Sequence, residues 1–188
     1  MTATVGDTVA TADVTVTVAA EGSTPPSQTE NYTLNIENLT ALGNVKESSK
    51  DFDTTVTKIW AVATNKSIQG FANGTPPFIK MTGGGANVSA NAEYGLQVKI
   101  SAAATITITA LSKQGKSTNQ WILKGMDGAS DVDSTGTPAV AAAELKSDNL
   151  SQNTKPATLT FADVPAGTYM LGPKADGGYL FSLKIAYK

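Results

Sequence analysis

The firmest constraint in this sequence is a period of two. Thr105-Ile106-Thr107-Ile108-Thr109 places both isoleucines on one side of an extended chain and all three threonines on the other. Val14-Thr15-Val16-Thr17-Val18 repeats the arrangement. Segments of this kind bury one side and wet the other only as strands of an antiparallel sheet. Further strand candidates run from Tyr32 to Ile36, Thr55 to Ala63, Tyr94 to Ser101, Gln120 to Lys124, Thr158 to Phe161, Gly167 to Leu171 and Tyr179 to Tyr187. Clusters such as Gly74-Thr75-Pro76-Pro77, Gly83-Gly84-Gly85 and Asp176-Gly177-Gly178 separate them. The pattern predicts an all-β chain, an antiparallel β-sandwich or jelly roll. Only Pro138 to Lys146, rich in alanine, reads as helix-like, for one or two turns. In the last strand the alternation puts Tyr179, Phe181, Leu183 and Ile185 on one face and Leu180, Ser182, Lys184 and Ala186 on the other.

A Pro-Pro linker of Ser, Thr and Gly composition, residues 21–30, divides the chain. Before it, residues 1–20 form an amino-terminal strand segment; after it, residues 31–188 form the sandwich domain. No apolar run approaches the roughly 18 residues that cross a bilayer, and no basic-then-apolar leader opens the sequence, which therefore reads as a mature segment without membrane insertion. Only 16% of residues are charged, so the polar surface must come from Thr, Ser, Asn and Gln, as on secreted and cell-surface β modules; the expected location is extracellular. The 14 basic and 16 acidic residues are scattered singly, which excludes a basic stripe for nucleic acid.

Histidine and cysteine are absent. Most neutral-pH catalysis uses one of them as base, nucleophile or metal ligand, so the sequence reads as a non-enzyme. A glycosidase needs only two carboxylates, but nothing marks such a pair.

Gly95-Leu96-Gln97-Val98-Lys99-Ile100, the TITITAL strand, Trp121-Ile122-Leu123 leading to Asp127-Gly128, LTFADVPAGTYML and a final Gly-Gly-Tyr hairpin into FSLKI together resemble the β-sandwich accessory and carbohydrate-binding modules attached to bacterial pectate lyases and related polysaccharide-degrading enzymes. The resemblance spans residues 31–188 and implies a non-catalytic module contacting plant or cell-wall polysaccharide, pectin among them. Residues 1–20 resemble the closing strands of a bacterial immunoglobulin-like repeat.

Sugar rings stack on aromatic faces. Trp121 follows the polar loop 112–119, so it is the candidate platform, with Lys113, Lys116 and Lys124 around it to meet the carboxylates of an acidic polysaccharide; packing of Trp121 with Leu123 in the core, and ordinary surface lysines, are the competing readings. Trp60, alternating with Val62, reads as core. Asp127, Asp131 and Asp133 fall in one loop and are the candidate ligands for a structural calcium, the only cofactor considered; an ordinary solvated turn competes with it. The alternative function is structural: a filament or surface-layer subunit whose amino-terminal strand adds to the sheet edge of another copy. The place of Trp121 separates the two, exposure favouring sugar and burial leaving the scaffold.

Overall fold

The structure is a computed structural model that describes residues 32–33, 44–53, 59–71, 76–82, 95–113, 120–142, 144–145, 155–175 and 177–188. Residues 1–30, which carry the amino-terminal strand and linker, lie outside the described residues. The described strands are β1 (Tyr32–Thr33), β2 (Asn44–Asp53), β3 (Ile59–Phe71), β4 (Phe78–Thr82), β5 (Gly95–Ile100), β6 (Ala104–Ser112), β7 (Trp121–Met126), β8 (Val132–Asp133), β9 (Ala139–Val140), β10 (Ala157–Val164), β11 (Gly167–Pro173) and β12 (Gly178–Tyr187). No helix occurs among the described residues, and the chain is all-β, as the alternation requires.

The hydrogen-bonded path runs β10-β6-β12-β4-β3-β5-β11-β7-β8, and its two halves pack face to face as the antiparallel sheets of a sandwich. β3 carries the chain from one sheet to the other: Ile59–Val62 pair with β5, and Ser67–Phe71 pair with β4. At the far end Thr135 and Thr160 exchange backbone hydrogen bonds of 2.7 and 3.2 Å, tying the segment after β8 to β10. β1 lies on the carboxy-terminal half of β12, and β2 lies along β3, its one partner among the described residues.

The period of two explains the core. Ile106 and Ile108 of β6, Leu159 and Phe161 of β10, and Leu183 and Ile185 of β12 are fully buried, while Thr105, Thr107 and Thr109 stay half-buried on the outer side. Leu96 and Val98 of β5, Tyr169 and Leu171 of β11, and Trp121 and Leu123 of β7 close the same cluster from the opposite sheet. Each such side chain removed from water contributes about 1.5–3 kcal/mol before entropy is counted. The Pro-Ala-Gly-Thr-Tyr segment has a structural job here: the Tyr169 hydroxyl donates to the Pro165 carbonyl at 3.0 Å and fastens the turn between β10 and β11.

The structure departs from the sequence reading in three places. The Ala-rich stretch from Pro138 is extended: β9 pairs parallel to the end of β6, and the Ala141 amide donates to the Ser112 carbonyl at 3.0 Å. Its alanines fit a strap across a sheet end as well as a helix, and tertiary hydrogen bonding outweighs propensity. β2 and β4 carry no clean alternation and escaped the sequence reading; β2 in particular has the charged sequence Asn-Val-Lys-Glu-Ser-Ser-Lys-Asp-Phe-Asp. That strand also breaks register with β3 twice, between Lys46 and Ser48 and between Asp51 and Asp53. The third departure concerns β12. Its register slips between Leu180 and Ser182, and this β-bulge inverts the alternation. Leu180, Leu183 and Ile185 enter the main core, whereas Tyr179 and Phe181 turn to a second apolar cluster.

The sheets meet closely at Gly178, where a Cβ would lie 2.8 Å from the Leu111 carbonyl oxygen and 2.9 Å from Cζ2 of Trp121. A methyl group there must displace backbone or a fully buried ring. Gly178→Ala is expected to cost about 1–3 kcal/mol by overpacking, seen in calorimetry as a Tm lower by several degrees. An unchanged Tm would show that the sheets are not in contact at this point.

Candidate functional site

Trp121 is 0% exposed. Its ring lies against Gly178 in the interface between the sheets, and its Nε1 has no hydrogen-bond partner among the described residues. No sugar reaches a ring in that position, because burial against the opposite sheet covers the face that stacking requires. The Trp60 side chain and Lys116 lie outside what the structure describes.

Of the remaining lysines, Lys124 is engaged with Asp131 at 2.9 Å. Lys113 is half-buried just beyond β6, where its backbone amide reaches the Gly177 carbonyl at 3.3 Å. The two described lysines of the predicted patch therefore sit on separate elements and form no common surface with Trp121.

The three aspartates also have separate tasks. Asp127 holds φ of 52° beside Gly128 at 90°, the pair of left-handed residues that turns β7 back toward β8, and the Ala129 amide closes the turn on the Met126 carbonyl at 3.0 Å. Asp131 accepts from the Gly125 amide at 3.0 Å as well as from Lys124, and Asp133 pairs with Lys174 at 3.1 Å. No group of three possible metal ligands forms among the described residues.

A different cluster lies on the face of its sheet turned away from the main core, near the strand ends where β3, β4 and β12 meet. Phe71 and Phe78 are cross-strand partners of β3 and β4, and their rings stack at 4.6 Å with planes 10° apart. Phe181, redirected by the β12 bulge, packs on the same Phe78 ring at 5.7 Å and 38°. Tyr179 meets it edge-on at 6.0 Å. Phe78, Tyr179, Leu111 and Leu145 are buried, while Phe71 and Phe181 are half-buried. Phe78 thus acts as a fixed floor carrying two partly open rings.

Polar groups border these rings. Lys80, with a side chain 13% exposed, pairs with Glu144, whose side chain is 54% exposed. The Leu145 amide donates to the Tyr179 hydroxyl at 3.3 Å and anchors the segment that carries Glu144. Burial pushes the Tyr179 phenol above its ordinary range, an effect that this hydrogen bond opposes and the Glu144 carboxylate reinforces. Phenol, carboxylate and ammonium are therefore held close together, with the phenol neutral at physiological pH.

No family model matches the sequence, and no curated protein does. The aromatic end was missed because its members are distant in sequence. Its one local signal is Phe71-Ala72-Asn73-Gly74-Thr75-Pro76-Pro77-Phe78, in which two phenylalanines flank a Gly/Pro turn as a cross-strand pair would. Nothing local announces that Phe181 leaves its expected face.

Two measurements test this description. Trp121→Ala is expected to cost about 3–5 kcal/mol in urea unfolding. Trp121→Phe, which keeps a ring and deletes the unpartnered N–H, should cost clearly less; equal small effects would contradict burial. The hydrogen bond from Lys124 holds the Asp131 carboxyl below its ordinary range. Its contribution is therefore present above the ordinary carboxylate range and lost as pH falls through the lowered value. The Tm advantage over Asp131→Asn should shrink between pH 6 and pH 2, and a gap independent of pH would rule the pairing out.

Proposed function

We propose that this chain is a non-catalytic extracellular module, accessory to a polysaccharide-degrading enzyme, that binds polysaccharide through the half-buried rings of Phe71 and Phe181. The observation that carries the proposal is the pair of partly open aromatic rings set on the buried Phe78. Pyranose rings present a C–H face that packs on aromatic carbon, and their hydroxyls need donors and acceptors nearby. Lys80 and Glu144 supply both kinds at the border of the rings. The burial of Trp121 by itself would favour a scaffold; the aromatic end restores a sugar platform at another place.

Support for a non-catalytic role comes from the state of the carboxylates. Glu144, Asp131, Asp133 and Asp163 are each paired with a lysine, so no two of them are poised as acid and base on one substrate. The alternative, assembly through residues 1–20, concerns residues outside the described ones. Among the described residues β2 pairs with β3 alone, and its two register shifts make its outer side a poor acceptor for an added strand.

The test is affinity electrophoresis of the full chain in gels containing xylan, hydroxyethyl cellulose or pectate. Retardation is expected in at least one, and Phe71→Leu and Phe181→Leu should abolish it without changing the far-ultraviolet circular dichroism, since leucine keeps the apolar volume and removes the flat face. Migration unaffected by all three polysaccharides would refute the proposal.

A further inference from the structure

The aromatic end carries a charge arrangement that bears on which polysaccharide it accepts. Lys80 projects from β4, two residues after Phe78, and its side chain is nearly buried. Its ammonium meets the Glu144 carboxylate, which is more than half exposed and lies beside the Tyr179 phenol. Of this pair the carboxylate is the more exposed charge, and the ammonium beneath it is already matched.

We propose that the Lys80–Glu144 pair makes Glu144 a specificity-determining residue that admits uncharged polysaccharides, such as xylans and glucans, and excludes polyuronates. This rests on the reading of the aromatic end as a saccharide site. A neutral sugar gains hydrogen bonds from both members of the pair without disturbing it. A uronate carboxylate arriving at the same place meets Glu144 first, and like charges at contact distance oppose binding. It reaches the Lys80 ammonium only by displacing Glu144, which exchanges one ion pair for another and leaves a carboxylate unmatched. The expectation of an acidic ligand, drawn from the lysines of the sequence, is thereby reversed: Lys80, the lysine placed at the site among the described residues, is occupied.

Selectivity then depends on a single exposed carboxylate. Glu144→Gln keeps the shape and the hydrogen-bonding capacity of the side chain but leaves the Lys80 ammonium without its counter-charge. The variant is expected to bind pectate at least about tenfold more tightly than the parent chain, with that gain lost on raising NaCl from about 0.05 to 0.5 M, because exposed charge attraction is screened at such ionic strengths. Its retardation by xylan or hydroxyethyl cellulose should change less than about threefold and be insensitive to salt.

The experiment compares the parent chain, Glu144→Gln and Lys80→Met in gels of each polysaccharide at low and high salt. The supporting result is a parent chain retarded by a neutral polysaccharide and not by pectate, a Glu144→Gln variant retarded by both, and a Lys80→Met variant that gains no pectate binding. A parent chain retarded by pectate as strongly as by xylan, or a Glu144→Gln variant that gains no pectate binding while still held by the neutral gel, overturns the role of Glu144 and leaves the saccharide site standing. Absence of retardation in every gel overturns both. Light scattering on the same samples covers the remaining occupant: a mass that rises with concentration and falls to monomer in Phe71→Leu, without retardation in any gel, assigns the rings to a second copy of the chain and overturns the proposal.

Discussion

One extra residue in β12 determines how the apolar side chains of this molecule are divided. Without the slip between Leu180 and Ser182, strict alternation would send Tyr179, Phe181, Leu183 and Ile185 to the same side. The bulge instead gives Leu183 and Ile185 to the interface between the sheets and gives Tyr179 and Phe181 to the outer face of their sheet, at one end of the sandwich. A bulge leaves a residue out of the ladder and bends the strand, which weakens pairing locally. Here it allows one strand to serve two clusters with different exposures.

The two clusters have opposite characters. Between the sheets, Trp121 fills the space above Gly178 and is wholly withdrawn from water. At the end of the sandwich, Phe78 is equally buried but holds Phe71 and Phe181 in half-open positions. Aromatic area is thus used once for cohesion and once, on the proposed reading, for contact. Charge follows a similar economy, since the lysines paired in the structure hold aspartates of turns and bulges or, in Lys80, the glutamate beside the rings. The exposed lysine–aspartate pairs contribute little to stability, and the effect of such charges is chiefly on what the surface will accept.

Much of the fold was legible because Thr and Ile or Val alternate with little interruption. Thr105 to Leu111 gave both the strand and its faces, and the buried isoleucines and half-buried threonines of β6 agree with it. The parts that were not legible share a physical cause: their state is set by partners far along the chain. Ala139–Val140 is a strand because Leu111 and Ser112 of β6 extend past the pairing with β10, not because of its own propensity. Trp121 stands beside a polar loop and alternates with Leu123, so the sequence left both exposure and core packing open, and its position is decided by Gly178, more than fifty residues away. Asp131 and Asp133 look like cation ligands until Lys124 and Lys174 are brought to them by the hairpin and by β11. The candidate site was hidden for the same reason, because Phe71, Phe78, Glu144 and Phe181 meet only in the folded chain.

The central claim is that contact with sugar belongs to the aromatic end and cohesion to Trp121. Chemical-shift mapping of the isotope-labelled full chain during titration with a xylo- or cello-oligosaccharide tests this most directly. Perturbations should gather at the amides of residues 71, 78–80, 144–145 and 179–181, with the Trp121 indole resonance unmoved. Perturbations centred on Trp121 and β7, or none at millimolar oligosaccharide, would contradict it.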